Sequence, residues 1–308
     1  MEPSIIVKNS TTITIESWFF PFDILMFVCI SLTIILGILF LCIIILDKTC
    51  HTVSMMITAN TCLSAIVAGC SLLSMCIFTL ENDIKQISYE DSLCILRGYF
   101  CYASCAVFDY SFLLQSIYRY ITVVYPLRLF WQSAKFQALL ICSTWIFSYV
   151  FPAAFMFTNE FIYNVDNQIC QLPLRLSFSI IYATHCIYVI PVSLIMFIYL
   201  KLVRYVKEMS KRVTPANILA RAKRELRMVQ RTVILVTILL TLGVPYTIII
   251  FMSFFTNPPK YHFRIAFIFV DVSLAFVMIA LLKFTDPLRM SLMKRVNGRR
   301  NTVVATIT

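Results

Sequence analysis

The chain is short of charge and of glycine. Asp, Glu, Lys and Arg make up 13% of its 308 residues, and it has 5 Gly. A water-soluble domain of this size carries about a quarter charged residues, so most of this chain is solvated by something other than water. Histidine is scarce as well. The three His (His51, His185, His262) sit on different segments, which excludes the boxed or helically spaced clusters of membrane desaturases and metalloproteases. No CxxC pair with zinc spacing occurs. Neither a Ser-His-Asp set nor a pair of catalytic carboxylates on one face stands out, so an enzyme is not expected, and neither is a cofactor. No internal repeat is visible.

What the chain does have is long apolar runs. Stretches free of Asp, Glu, Lys and Arg cover Ile24–Leu46, Thr49–Leu80, Phe136–Asn159, Leu176–Leu200 and Thr232–Pro259. Each exceeds the roughly 20 residues that a helix needs to cross about 30 Å of hydrocarbon. Two more, Gly98–Val124 and Ile265–Leu282, carry isolated charges at Asp109, Arg119 and Asp271. Continuous runs lack the alternation of a lipid-facing barrel, which leaves helices. The expected fold is an all-α membrane protein, a bundle of seven transmembrane helices.

Basic residues set the orientation. With the N-terminus outside, nineteen of the 26 Lys and Arg fall on cytoplasmic segments and six fall outside, with Lys283 inside a span. The net charge of +11 follows from this bias. The basic partner is then the anionic inner leaflet of the lipid bilayer, and no nucleic acid is needed. The first residues lack a signal-peptide pattern, so the first span is expected to act as the anchor. Asn9-Ser10-Thr11 is a glycosylation sequon at Asn9 on the outer side. Nine of the twelve Cys fall within spans, where a thiol is a small apolar filler. Cys94 and Cys170 lie toward the oxidising compartment, where bridging is favoured.

Arg119 lies 25 residues after Cys94, about 37 Å along a helix, and therefore at the inner end of the third span. It sits in the triplet Tyr118-Arg119-Tyr120, followed by Tyr125-Pro126-Leu127. Trp145 lies in the fourth span, Pro191 and Tyr199 in the fifth, and Glu225 and Pro245 at the inner end and middle of the sixth. Asp286-Pro287 closes the seventh. This ordered set, over the whole chain, resembles the rhodopsin-like (class A) G-protein-coupled receptors.

The resemblance implies a Cys94–Cys170 disulfide, a heterotrimeric G-protein partner, an extracellular ligand and a plasma-membrane location. It implies an extracellular N-terminus over 1–23, a receptor domain over 24–286, and a short amphipathic eighth helix with a cytoplasmic tail over 287–308. It also assigns roles. Arg119 pairs with Glu225 at rest and meets the G protein when the sixth helix swings out, with Tyr199 supporting the open form and Tyr120 beside the switch. A snorkelling surface Arg that binds lipid phosphate is the plainer alternative.

The departures are specific. The acid that precedes the Arg in the family is Tyr118, the aromatic before the sixth-helix proline is Gly243, the seventh-helix Tyr is Met290, and the second-helix Asp is Ser64. Sodium binding in the core is therefore not expected. Lys283 and Asp286 lie at i and i+3 on the seventh helix. Either Lys283 neutralises a buried Asp286, and with it Asp109, or Asp286 is an end cap and Lys283 snorkels inward.

The family's ligand site falls here on Cys101, Tyr102, Cys105, Tyr182, His185, Tyr246, Ile249, Asp271 and Phe276. The aminergic Asp position is Cys101 and the opsin Schiff-base position is Ala280, so neither ligand class is implied. Nine acids against six bases on the outer side weakly favour a cationic peptide. A transporter or channel that uses Asp109, Lys283 and Asp286 is the alternative, but inverted repeats and Gly-broken helices are missing.

Overall fold

The computed structural model describes residues 11–12, 18–174, 177–211, 216–256, 259–285 and 289–293. Seven long helices dominate these residues. The first three spans are α1 (Phe19–Leu46), α2 (Val53–Lys85) and α3 (Cys94–Val124). A short α4 (Leu129–Gln132) precedes the fourth span, α5 (Ala134–Phe157). The fifth is α6 (Phe178–Thr184), a π-helical turn (His185–Val189) and α7 (Ile190–Lys211). The sixth is α8 (Ala216–Ser253) and the seventh α9 (His262–Phe284). Residues 289–293 form a short eighth helix, with Ser291 buried and bonded to Asp47 while Met290 and Met293 are exposed.

Five spans are long and apolar enough to cross a membrane by length and composition, and the sixth qualifies as a bent pair, Ala222–Thr241 and Gly243–Ser253, at 48°. The bend coincides with Gly243 and with Pro245, which lacks an amide proton and clashes with the preceding turn. α3 is less apolar, with Arg97, Asp109 and Arg119 along it, and it packs against α2, α5, α7 and α8. A helix surrounded by protein has no need of an aliphatic, lipid-facing surface.

Local signals set the helix ends. Thr52, Ser133 and Ser177 each place a hydroxyl oxygen on an amide of the first turn of α2, α5 and α6. Gln86 ends α2 in a left-handed conformation at φ 55°. Two two-stranded sheets cover the end that carries Cys94, called outer here on the basic-residue bias. β1 (Thr11–Thr12) pairs with β2 (Ile87–Ser88), and β3 (Ile162–Asn164) pairs with β4 (Ile169–Gln171), both antiparallel. β4 is wholly buried.

The sequence boundaries need two corrections. α1 begins at Phe19, so the division at residue 23 falls inside a helix, and α2 runs past Leu80 to Lys85. The acid that bounds the first run, Asp23, is buried beside Arg264, as described below, whereas the acid that ends the second, Glu81, is half-exposed and pairs with Lys85 one turn on within the same helix. The proposed glycosylation site Asn9, Asp286 and most of the tail lie outside the described residues.

Candidate functional site

The inner end is organised around Arg119. Its Nη1 donates to Glu225 Oε2 at 3.0 Å, and its Nη2 donates to Ser54 Oγ at 2.5 Å. One side chain of α3 therefore ties the inner ends of α2 and α8. The Glu225 side chain is 7% exposed and that of Arg119 18%, with the guanidinium 5.7 Å from the Tyr118 ring. With Tyr118 in place of an acid, Glu225 is the carboxylate that pairs with Arg119 among the described residues.

This pair lines a cavity of about 410 Å³ with Thr58, Gln115, Arg231 and Phe284. Arg231 of α8 donates to the Phe284 carbonyl of α9 at 2.6 Å. Beside the pair, Val123, Leu202, Val206, Ala222 and Val229 form a small apolar cluster, and Tyr120 and Tyr199 pack on it.

The outer end is held in several ways. Cys94 of α3 and Cys170 of β4 form a disulfide, with Cα atoms 5.3 Å apart. Gly98, one turn further, lies so close that a Cβ would meet the Cys170 carbonyl oxygen at 2.5 Å, so a side chain there would push the hairpin off. Arg264 on α9 grips Asp83 of α2 with two hydrogen bonds of 2.6 and 2.9 Å and lies 3.6 Å from Asp23 of α1. Its guanidinium also covers the Phe19 ring at 4.2 Å.

The loop between β3 and β4 joins the same network. Gln168 donates to Asp83, and Asn167 Oδ1 accepts the backbone N–H groups of Phe263 and Arg264 at 3.1 and 3.2 Å. Those N–H groups belong to the first turn of α9, which has no partner for them within its own helix. Arg264, Asp83, Asn167 and Gln168 were missed by the sequence reading. Nothing in one sequence marks them, because the partners of Arg264 lie 181 and 241 residues away.

The expected ligand residues separate into groups. Cys101, Tyr102, Cys105 and Tyr246 line one cavity, together with Gln171, Ile187, Tyr188, Phe267 and Val270. Asp271 instead lines a neighbouring cavity with Asp23, Cys76 and Arg264. Ile249 is buried in the core and lines none of the cavities described. Tyr182 stacks on Phe178 and meets Phe151 and Phe155, so it faces α5.

Two residues must be removed from the pocket. His185 is exposed and its ring bonds to the Ile181 carbonyl of its own helix. The π turn that begins there inserts a residue and rotates the outer segment by about 100° relative to a regular helix, which brings Ile187 and Tyr188 inward instead. Phe276 is 55% exposed, on the side of α9 away from Leu274, Val277 and Met278.

The polar core also departs from expectation. Lys283 is exposed, so it is not the buried counter-charge proposed for Asp109 and Asp286. Its long chain reaches solvent or headgroups at lower cost than burial. Ser64 is buried and donates to the Thr61 carbonyl at 2.8 Å. Trp145 donates to Asn60 at 2.8 Å and joins α5 to α2.

A search of curated protein sequences found no match. Among solved structures, the crystal structure of squid rhodopsin superposes with a TM-score of 0.75 over 93% of this chain and 90% of that one, at 15% identity. At that identity the likeness speaks for the fold alone. The sequence model described as "7 transmembrane receptor (rhodopsin family)" matches residues 17–282, most of the chain. The protein is thus a multi-pass membrane receptor and not an enzyme, and it belongs to the rhodopsin family of G-protein-coupled receptors.

Proposed function

We propose that this receptor sits in the plasma membrane with its N-terminus outside and activates a heterotrimeric G protein when the inner half of α8 swings away from α3. The observation that carries this reading is the Arg119–Glu225 ion pair at the rim of the inner cavity. Arg119 is held by Glu225 of α8 and Ser54 of α2, so withdrawing α8 removes its charged partner and frees Nη1. A freed guanidinium at the mouth of a 410 Å³ cavity is a donor set for carbonyls or carboxylates of a cytosolic helix. Tyr199, packed beside it, is placed to support the open form.

The excess of nine outer acids over six bases weakly favours a cationic peptide as the ligand. Of these acids, Glu81, Asp83, Asp91 and Asp166 pair with Lys85, Arg264, Arg97 and Lys260, and Asp23 is buried beside Arg264. Pairing ties these charges down and leaves the net excess unchanged.

The test is a panel of G-protein dissociation assays in cells that express the chain without added ligand. Arg119→Ala is expected to abolish coupling and Glu225→Ala to raise its basal level. Equal signals from these variants and the unaltered chain would refute the switch.

A further inference from the structure

A carboxylate in mid-membrane has been left without a counter-charge. Asp109 is 5% exposed and lies at the middle of α3. Among the described residues it has no hydrogen-bond or ion-pair partner, and Lys283, the cation nearest in expectation, points outward. An ionised carboxylate at this depth costs several kcal/mol unless a cation or donors meet it. It faces a cavity lined also by Ala68, Phe108, Leu239, Gly243 and Ser273.

Gly243 opens this space. A Cβ built there meets nothing within 4 Å. The absence of a side chain at this point of α8, opposite Asp109, leaves room of about 30 Å³. A water needs about 10–15 Å³ on the same measure, and an ammonium head is of similar size, so a cation fits beside the carboxylate.

The Asp109 cavity is not isolated. It shares Cys105, Tyr188 and Val270 as walls with the outer cavity lined by Cys101, Tyr102, Gln171 and Tyr246. In that outer cavity the buried Gln171 Nε2 lacks a partner among the described residues, while Tyr102 lies beside Tyr246 and the Leu172 backbone. Seven residues of α3 separate Tyr102 from Asp109, about 10 Å of helix. The walls between are thiols, aromatics and aliphatics.

We propose that the two cavities form one elongated site for a small organic cation. Its ammonium head meets Asp109, its apolar stem passes Cys105 and Tyr188, and a hydrogen-bond acceptor at its far end meets Gln171 Nε2. This deepens the receptor reading by naming a ligand class, and it rests on that reading only for the signal that binding would produce. The head lies two turns deeper than Cys101, in the space that Gly243 leaves open.

Cys105 provides a native reporter, since it lies four residues from Asp109 on the same face of α3 and lines both cavities. The full-length receptor, with Cys101→Ser to leave one pocket thiol, is purified in lipid nanodiscs. Modification of Cys105 by the cationic aminoethyl methanethiosulfonate and the neutral methyl methanethiosulfonate is followed by mass spectrometry. Rates are normalised to those of a free thiol.

The cationic reagent is expected to be favoured by about tenfold or more, since a charge pair at close range in a low-dielectric site exceeds that difference. Asp109→Asn should abolish this preference and leave the neutral rate unchanged, which also reports an intact pocket. Gly243→Trp should slow both reagents. In a second measurement, n-butyl- to n-octylammonium ions at millimolar concentration should protect Cys105 from the neutral reagent in the Cys101→Ser receptor and not after Asp109→Asn.

The same charge preference with and without Asp109, or protection that survives Asp109→Asn, would overturn the proposal. So would a Cys105 that the neutral reagent leaves unmodified in the folded receptor and modifies after denaturation. None of these readouts involves a G protein, so each leaves the Arg119–Glu225 switch to be judged by its own assay.

Discussion

The outer end of the bundle is fastened by a covalent bond and a knot of buried charge, whereas the inner end is fastened by an ion pair at a cavity rim. At the outer end Arg264 is 5% exposed and holds Asp83 by two bonds, while the disulfide and Asn167 pin the hairpin. At the inner end Arg119 reaches Glu225 of α8 and Ser54 of α2, and Arg231 of α8 reaches the Phe284 carbonyl of α9, all at the wall of a cavity. Contacts that are fully desolvated and redundant resist local opening more than contacts beside a water-accessible cavity. The inner half is therefore the one expected to open first.

Substitutions can break this contrast, and the largest effect belongs to the outer end. Arg264→Met leaves Asp83 and Asp23 buried without a cation, at a cost of about 3–5 kcal/mol. Surface expression measured by flow cytometry should collapse, and wild-type levels would mean the knot is dispensable. At the inner end Glu225→Gln should spare surface expression and raise ligand-independent coupling. A loss of about 1–2 kcal/mol of resting restraint corresponds to about five- to thirtyfold in the equilibrium. Unchanged basal signal in a G-protein dissociation assay would place the restraint elsewhere.

A smaller rise is expected from Arg231→Gln, because one hydrogen bond to the Phe284 carbonyl contributes about 1 kcal/mol. Its effect should add to that of Glu225→Gln in the double variant if the two contacts restrain α8 independently. The smallest change belongs to Lys283→Met. An exposed residue away from such features alters stability by no more than about 0.5 kcal/mol. Expression and signalling close to wild type would sharpen the assignment, whereas loss of either would return Lys283 to the core.

The same contrast explains what could be read from the sequence. The helices are visible because lipid demands long runs without charge, and the Arg119–Glu225 pair is visible through the family resemblance, with Cys94 and Pro245 placing the two residues at the inner helix ends. The outer knot was hidden. Asp23, Asp83 and Arg264 each look like a surface charge that ends a span, and only folding brings them within reach of one another. α3 looked marginal as a span because protein, not lipid, surrounds it. His185 was misplaced because a π turn leaves no mark in composition, and Gly243 read as a lost aromatic when it also creates space.

The buried hairpin that carries β4 is stapled to α3 and capped onto α9. A segment held at both sides roofs the space beneath Gln171, so a guest in the proposed site is expected to leave slowly, and the signal it evokes is expected to follow sustained exposure more than brief pulses.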